Sequence, residues 1–516
     1  MRRGVARRYH DGTEHSPQSV RTSTHTLDWD VKPFPFKVYT ELPALALPRD
    51  ADPVAADALA ALAAPAPDAP RLSLETLAAL LYYSAGLTRK KTYPGGGEAL
   101  FRAAPSTGAL YQTEVYVAAG AVEGLEPGLY HFCPGDFALR RLRQGDVRAA
   151  LAAAAGDESL AKRAATIVLS AIYWRNTWKY QARGYRHLFW DSGTLLANLL
   201  AVGGALGLAP RLLTGFVDAE VNRLLGLDAT REAALELVPL GPEGAPAPAV
   251  VTLDEISHPV MPLSSSEVDY PLLREIHAAS SLETPAAVRA WRQGSLTARA
   301  VEKAVSPALL PLPPPRATCG RGLGDTIQRR GSTRQFAHES LTALELATAL
   351  ALAARAAEAD VPPGLVDLYL VVDAVDGVPP GAYVYHRDAH ALELLRPGEW
   401  RRESAYLCLE QPLGGDAAAV VYFLAPLGAI LDAFGDRGYR LANLEAGLAG
   451  GRAYLAAYAQ GFGASGLTFY DRLVVEFFSP HARGTDAIFV TALGRSAGSG
   501  RVTIGANLTL SRRPAG

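Results

Sequence analysis

The chain has 516 residues, 49% of them hydrophobic and 20% charged, with 50 Lys and Arg set against 52 Asp and Glu. That length exceeds one ordinary hydrophobic core, and a formal net charge of -2 with no basic stripe among aromatics argues against a nucleic-acid partner. Cys133, Cys319 and Cys408 form no CxxC or paired framework, and neither a signal-peptide core nor a run of 18 apolar residues occurs. A cytoplasmic protein without metal, disulfide or membrane span is therefore expected.

Residues 1–50 read as an irregular arm ending in the Pro/aromatic run VKPFPFKVYTELP, Val31 to Pro43. A first domain over 51–250 opens with SLETLAALLYYSAG, where Ser73 caps a helix that stops at Gly86. A Gly-rich loop, TYPGGGEALF, follows, and then Arg102 to Phe132, whose second part alternates like two paired strands with a Gly/Pro turn between them. A helical pattern runs from Tyr173 towards Gly207, and GPEGAPAPAV closes the unit. Residues 251–320 form a linker of helical patches ending in the proline-rich LLPLPPPRATCG, which fits neither a helix nor a central strand.

From 321 to 516 the first domain begins again. EVYVAAGAVEGLEPGLY (Glu114 to Tyr130) matches DLYLVVDAVDGVPPGAY (Asp367 to Tyr383) at an offset of 253, and RGYR at 183–186 recurs at 437–440, with Asp191 opposite Glu445 and Gly193 opposite Gly447. This is a tandem duplication of one α+β domain, and a fused pseudo-dimer is its expected packing.

Each half lacks what the other kept. RRGSTRQF, Arg329 to Phe336, gathers guanidiniums and a hydroxyl ahead of the helix-forming run Leu341 to Glu358, which outlines a phosphate cradle; the alternative is a solvated basic turn. The corresponding stretch before Ser73 is APAPDAP, without Arg or Ser. Conversely, RAAPSTG at 102–108 faces ARAAEADV in the second half, and Lys179-Tyr180 faces Ala433-Phe434. GFGASG at 461–466 fits GxGxxG, yet a helical run precedes it and the alternating LTFYDRL follows, which is the wrong order for a dinucleotide fold.

Together PSTGALYQTEVYV, GLYHF, WKYQARGYRHLFWDSG, RRGSTR and GLTFYDRLVVEFF resemble the nitroreductase-like flavoproteins, and among them the SagB-type azoline dehydrogenases of ribosomal peptide pathways. The resemblance implies two nitroreductase-like domains packed as a pseudo-dimer with FMN between them. It further implies that Arg330, Ser332 and Arg334 hold the phosphate, with Arg329 a further contact. Pro105, Ser106, Thr107 and Gly108 line the ring from the opposite half, and the loop Ala464, Ser465, Gly466 approaches it. Lys179 and Tyr180 match the family's catalytic pair, with Tyr173, Trp174 and Trp178 positioned to desolvate the lysine and make it a better base.

Arg183, Arg186 and Asp191 persist in both halves as Arg437, Arg440 and Glu445 and read as a shared architectural set. Arg495 is the nearest match to the family's late basic residue, and His10 and His15 show no metal-ligand spacing. The implied activity is FMN-dependent oxidation of azolines to azoles in a modified precursor peptide, with a cyclodehydratase as partner. An NAD(P)H-dependent nitro or quinone reductase and a flavin-free peptide-binding scaffold are the alternatives.

Overall fold

The structure is a computed structural model and describes residues 4–49, 53–69, 71–92, 98–249, 253–296 and 308–498. Part of the Gly-rich loop, 93–97, lies outside the described residues; its flanks pair as the hairpin Leu87–Thr92 and Glu98–Arg102. Among the described residues no helix is long and apolar enough to cross a membrane.

Each half is an antiparallel sheet packed on helices. In the first, the strands lie in the order Ala44–Ala46, Ala138–Gln144, Gly128–Cys133, Thr113–Ala119, Arg163–Ile172, Glu232–Glu243. In the second, the order is Leu309–Pro311, Ala391–Pro397, Gly381–His386, Asp367–Val372, Ala419–Ala425, Asp486–Gly494, with Gly463–Gly466 added at the edge. The expected strand pair is an antiparallel hairpin in both halves, Val117 opposite Tyr130 and Leu370 opposite Tyr383. Every residue of Thr113–Ala119 and Gly128–Cys133 is buried, because both faces of this central region are covered.

Ser73 caps the helix Leu74–Ala85, its Oγ accepting from Thr76 N at 3.2 Å. Its counterpart, expected over Leu341 to Glu358, is shorter: Thr342 and Glu345 form a capping box and the helix occupies only Ala343–Ala353.

The halves meet where the long helices Gly184–Ala205 and Gly438–Gln460 cross. A Cβ on Gly447 would lie 2.5 Å from Trp190 O, and one on Gly193 would lie 2.6 Å from Leu444 O, so two glycines at equivalent positions set the approach of the backbones. At the start of each helix the RGYR arginines bind an aspartate of the other half. Arg183 and Arg186 reach Asp471 at 3.0 and 2.6 Å, and Arg437 and Arg440 reach Asp218 at 2.6 and 2.7 Å. All six groups are buried, and removing one partner would leave an uncompensated charge in the core.

Several elements differ from the sequence reading. The N-terminal segment is not an irregular arm: it holds helices Val5–Gly12 and Pro17–Arg21 and the edge strand Ala44–Ala46. It is itself repeated by the linker, with helices Pro271–Ala279 and Pro285–Trp291 and the edge strand Leu309–Pro311. Arg186 donates to His10 O and Thr13 Oγ1, while Arg440 donates to His277 O and Ser280 Oγ. The matching motif, SPQSVR at 16–21 against TPAAVR at 284–289, is short enough to pass unnoticed. LTFYDRL is not a strand: Tyr470 leads into the helix Asp471–Phe478.

Candidate functional site

The Pro-Ser-Thr-Gly turn is held by Asp191 from the long helix of its own half. The carboxylate accepts from Ser106 Oγ (2.5 Å), Thr107 Oγ1 (2.6 Å), Thr107 N (2.9 Å) and Gln112 Nε2 (2.7 Å). Asp191 therefore does not belong with Arg183 and Arg186, as its place in the repeat had suggested; those two bind Asp471. Burial pushes the Asp191 carboxyl up to about 6, against the pull of these donors. Thr194 Oγ1 donates to Pro105 O at 2.8 Å, and Ser106 Oγ accepts from Tyr111 N at 2.9 Å. Gly108 has φ 63°, and a Cβ there would stand 2.9 Å from the Tyr180 hydroxyl oxygen, so the turn abuts the Lys-Tyr pair.

The helix expected from Tyr173 to Gly207 is broken. Its first segment, Tyr173–Tyr180, ends because Gln181 adopts φ 51° and ψ -145°, a conformation that glycine favours; the second half has Gly435 there at φ 61°. Holding a side-chain residue in such a region costs about 1–3 kcal/mol, and the strain falls directly after the candidate catalytic pair. The Tyr180 ring meets His187 edge-on, with centroids 4.4 Å apart, and the Lys179 amine lies 5.3 Å from the Tyr180 ring centre.

Lys179 is half-buried, and burial, Arg334 and Lys32 all lower its pKa. Trp29, which the sequence did not assign to the site, packs edge-on against Trp178, and Trp178 Nε1 donates to Asp28 O at 2.7 Å. Burial, then Asp191, holds Tyr180 above the ordinary tyrosine range, with Arg334 opposing.

The second half brings the phosphate motif to the same interface. Helix Leu323–Arg329 ends at Arg330, which is buried and donates to Ala103 O at 3.0 Å and Arg102 O at 3.2 Å, the carbonyls just before the Pro-Ser-Thr-Gly turn. Its guanidinium lies 5.9 Å from the Tyr454 ring centre. Ser332 Oγ is 3.2 Å from Tyr454 Oη, which also accepts from Gly466 N at 2.5 Å. Thr333, absent from the sequence-based set, ties the motif to the glycine segment: its N–H donates to Ala464 O at 2.9 Å.

Two expected contacts are not brought in. Arg329 is exposed and paired with Asp325 on its own helix at 2.7 Å, and Arg495 is paired with Glu345 at 2.8 Å. Arg334 is exposed, on the side of Lys179 and Tyr180. Ala464, Ser465 and Gly466 form an edge strand rather than a loop, pairing on one side with Leu493, Ala492 and Thr491. No Rossmann order exists here, since a helix rather than a strand leads into the glycines and the glycines themselves lie in an antiparallel edge strand.

His10, read as lacking metal-ligand neighbours, comes within 3.8 Å of Glu14 and 3.4 Å of Asp486. The cation charge there is already supplied by Arg472 on Glu14 and Arg7 on Asp486.

At the mirror position the two surfaces are joined. Leu212 N donates to Glu358 O at 2.9 Å and Asp360 N to Leu212 O at 3.1 Å. Asp360 also accepts from Thr214 N, Gly215 N and Arg292 Nε, each at 2.9 Å. By the repeat register Leu212 stands where Gly466 does, and Glu358 to Asp360 where Pro105 to Thr107 do. At the mirror position the chain's own backbone thus ties the two surfaces together.

The nitroreductase family profile matches residues 50–241 and 327–479, one stretch in each repeat. A crystal structure assigned as a nitroreductase from Anabaena variabilis ATCC 29413 aligns over 96% of this chain and 99% of its own, with a TM-score of 0.75 and 28% identity. The nitroreductase-type protein MJ1384 of Methanocaldococcus jannaschii is 29% identical over 33% of this chain and 81% of its own length. The microcin B17-processing protein McbC of Escherichia coli is 29% identical over 25% of this chain and 50% of its own. The trifolitoxin-processing protein TfxB of Rhizobium leguminosarum bv. trifolii is 28% identical over 33% and 47%. The chain thus spans about half the length of these two processing proteins.

Proposed function

Because the chain belongs to the nitroreductase family, we propose that it is an FMN-dependent dehydrogenase oxidising azoline rings to azoles in a ribosomally made peptide, at one composite site between its halves. The observation that carries this reading is the meeting of motifs that survive in only one half each: Arg330 of the second donates to the Ala103 and Arg102 carbonyls that lead into the Pro-Ser-Thr-Gly turn of the first, and that turn abuts Tyr180. Similarity to proteins named for microcin B17 and trifolitoxin processing supports a peptide substrate.

The residues fit a flavin mononucleotide. Arg330 is a buried guanidinium with no carboxylate partner among the described residues, Ser332 adds a hydroxyl, and the edge strand Gly463–Gly466 presents backbone beside them. Arg330, Ser332 and Arg334 would hold the phosphate side, while Pro105, Ser106, Thr107 and Gly108 with Ala464, Ser465 and Gly466 would flank the ring.

When bound, FMN supplies the hydride acceptor. The chain's own residues do the rest. Lys179, whose pKa is lowered by burial and then by the charges of Arg334 and Lys32, takes in its neutral form the proton from the neighbouring substrate carbon. Tyr180 stays protonated and can donate to the substrate, and the buried Trp178 excludes water behind the pair. A cyclodehydratase is the partner this chemistry requires, since it makes the azoline.

The test is to incubate the flavin-loaded protein with an azoline-bearing peptide and follow loss of two hydrogens per ring by mass spectrometry. NAD(P)H-driven reduction of a nitroaromatic with no change in the peptide would replace this reading with the reductase one. A protein that neither purifies with nor binds flavin would establish the scaffold.

A further inference from the structure

Resting on the flavin reading above, we propose that Arg89 of the first half is a further ligand of the cofactor's phosphate, and that Gly331 is the gap that lets it in. Arg89 stands on the hairpin strand Leu87–Thr92 and crosses the interface to the end of helix Leu323–Arg329. Its Nε and Nη2 donate to Gln328 O at 3.1 and 3.0 Å, and Nη2 also reaches Arg329 O. These last carbonyls of a helix carry its negative end, so they fix the guanidinium plane without consuming its charge. The remaining nitrogen, Nη1, is left over Gly331: a Cβ at that position would lie 2.6 Å from it.

Gly331 stands between Arg330 and Ser332 in RRGSTR, and its lack of a side chain has a cause. Any side chain there would collide with the arginine arriving from the other half. Arg330 sits next to Arg89, close enough for its charge to oppose Arg89's ionisation after burial does. Two guanidiniums from different halves are therefore held side by side, one buried and one half-buried, and neither is ion-paired to a carboxylate among the described residues. The groups that temper them are carbonyls and the hydroxyls of Tyr111 and Tyr458. Like charges gathered without a counter-charge are complemented by an anion, and two forked cations suit a phosphate's several oxygens.

The experiment is a fluorescence titration of flavin-stripped protein with FMN and, separately, with riboflavin, which lacks the phosphate. Arg89→Gln is expected to weaken FMN by roughly ten- to a hundredfold and leave riboflavin unchanged. Gly331→Ala, which displaces Arg89, should reproduce that selective loss, and the double variant should be no worse than either single one. FMN affinity unchanged in Arg89→Gln would overturn the assignment. So would equal losses for FMN and riboflavin, which would make Arg89 only a brace for the interface. If the unaltered protein binds FMN no better than riboflavin, the phosphate cradle fails as a whole, a result distinct from failure of Arg89 alone, in which Arg330→Gln would still discriminate against FMN.

Discussion

Replacing Asp191 by Asn removes the charge that holds the Ser106–Thr107 turn while keeping the shape of the side chain. Four donors converge on this carboxylate, at 2.5 Å (Ser106 Oγ), 2.6 Å (Thr107 Oγ1), 2.7 Å (Gln112 Nε2) and 2.9 Å (Thr107 N). An amide offers one oxygen and two N–H groups, so about two of the donors would face a donor, at about 1–3 kcal/mol each. Against this, a buried charge is relieved; lifting a carboxyl from 3.8 to about 6 corresponds to about 3 kcal/mol. The two effects largely offset, so stability should fall by no more than about 3 kcal/mol. The turn itself loses its anchor, and a displacement of about 1 Å against Tyr180 is enough for about a hundredfold loss of turnover.

The repeat provides the control. Glu445 occupies the same position in the second half and accepts from Gly364 N and Val366 N, each at 3.1 Å. Glu445→Gln should cost comparable stability and leave flavin content and turnover intact. Denaturant melts read the first quantity; flavin absorbance and peptide oxidation read the others. Full turnover in Asp191→Asn, or an equal loss in Glu445→Gln, would refute the reasoning.

Lys179→Met and Tyr180→Phe should retain flavin and lose peptide oxidation, as expected of residues that act in the reaction rather than in cofactor binding; unchanged turnover in both would remove their role. Lys179 must be deprotonated to act as a base, so kcat/KM should rise with pH along a limb lying below the ordinary lysine value of 10.5. Arg334→Gln removes a charge that lowers this pKa, so the limb should move to higher pH; a limb that stays in place assigns it to another group. Gly447→Ala puts a Cβ 2.5 Å from Trp190 O. It should cost about 1–3 kcal/mol by overpacking, seen as a lower urea midpoint, and weaken flavin binding as the halves part.

The duplication was legible because each repeat carries buried strands and an RGYR turn whose residue types must agree to build the same core. The candidate site was legible for a related reason: motifs lost from one half stand out against the other. What escaped was set by conformation or by contact across the interface. The break after Tyr180 depends on a positive φ at Gln181, which helical periodicity does not register. Asp191 was grouped with Arg183 and Arg186 because all three recur, but recurrence does not say which partner each one meets. LTFYDRL alternates like a strand, yet tertiary packing makes its end a helix that delivers Asp471 to two arginines. The N-terminal segment and the linker hid their kinship because they share little beyond Ser/Thr-Pro-x-x-Val-Arg.

Flavin stoichiometry tests the single composite site most directly. At the mirror position Leu212 N donates to Glu358 O at 2.9 Å, and the Asp360 carboxylate is taken up by Thr214 N, Gly215 N and Arg292 Nε, each at 2.9 Å, so a cofactor would have to part a backbone pairing and a satisfied ion pair to enter. Absorbance of flavin released from the saturated protein, divided by chain concentration, should approach one FMN per chain. A ratio near two would contradict a single site and show that the mirror position opens and binds.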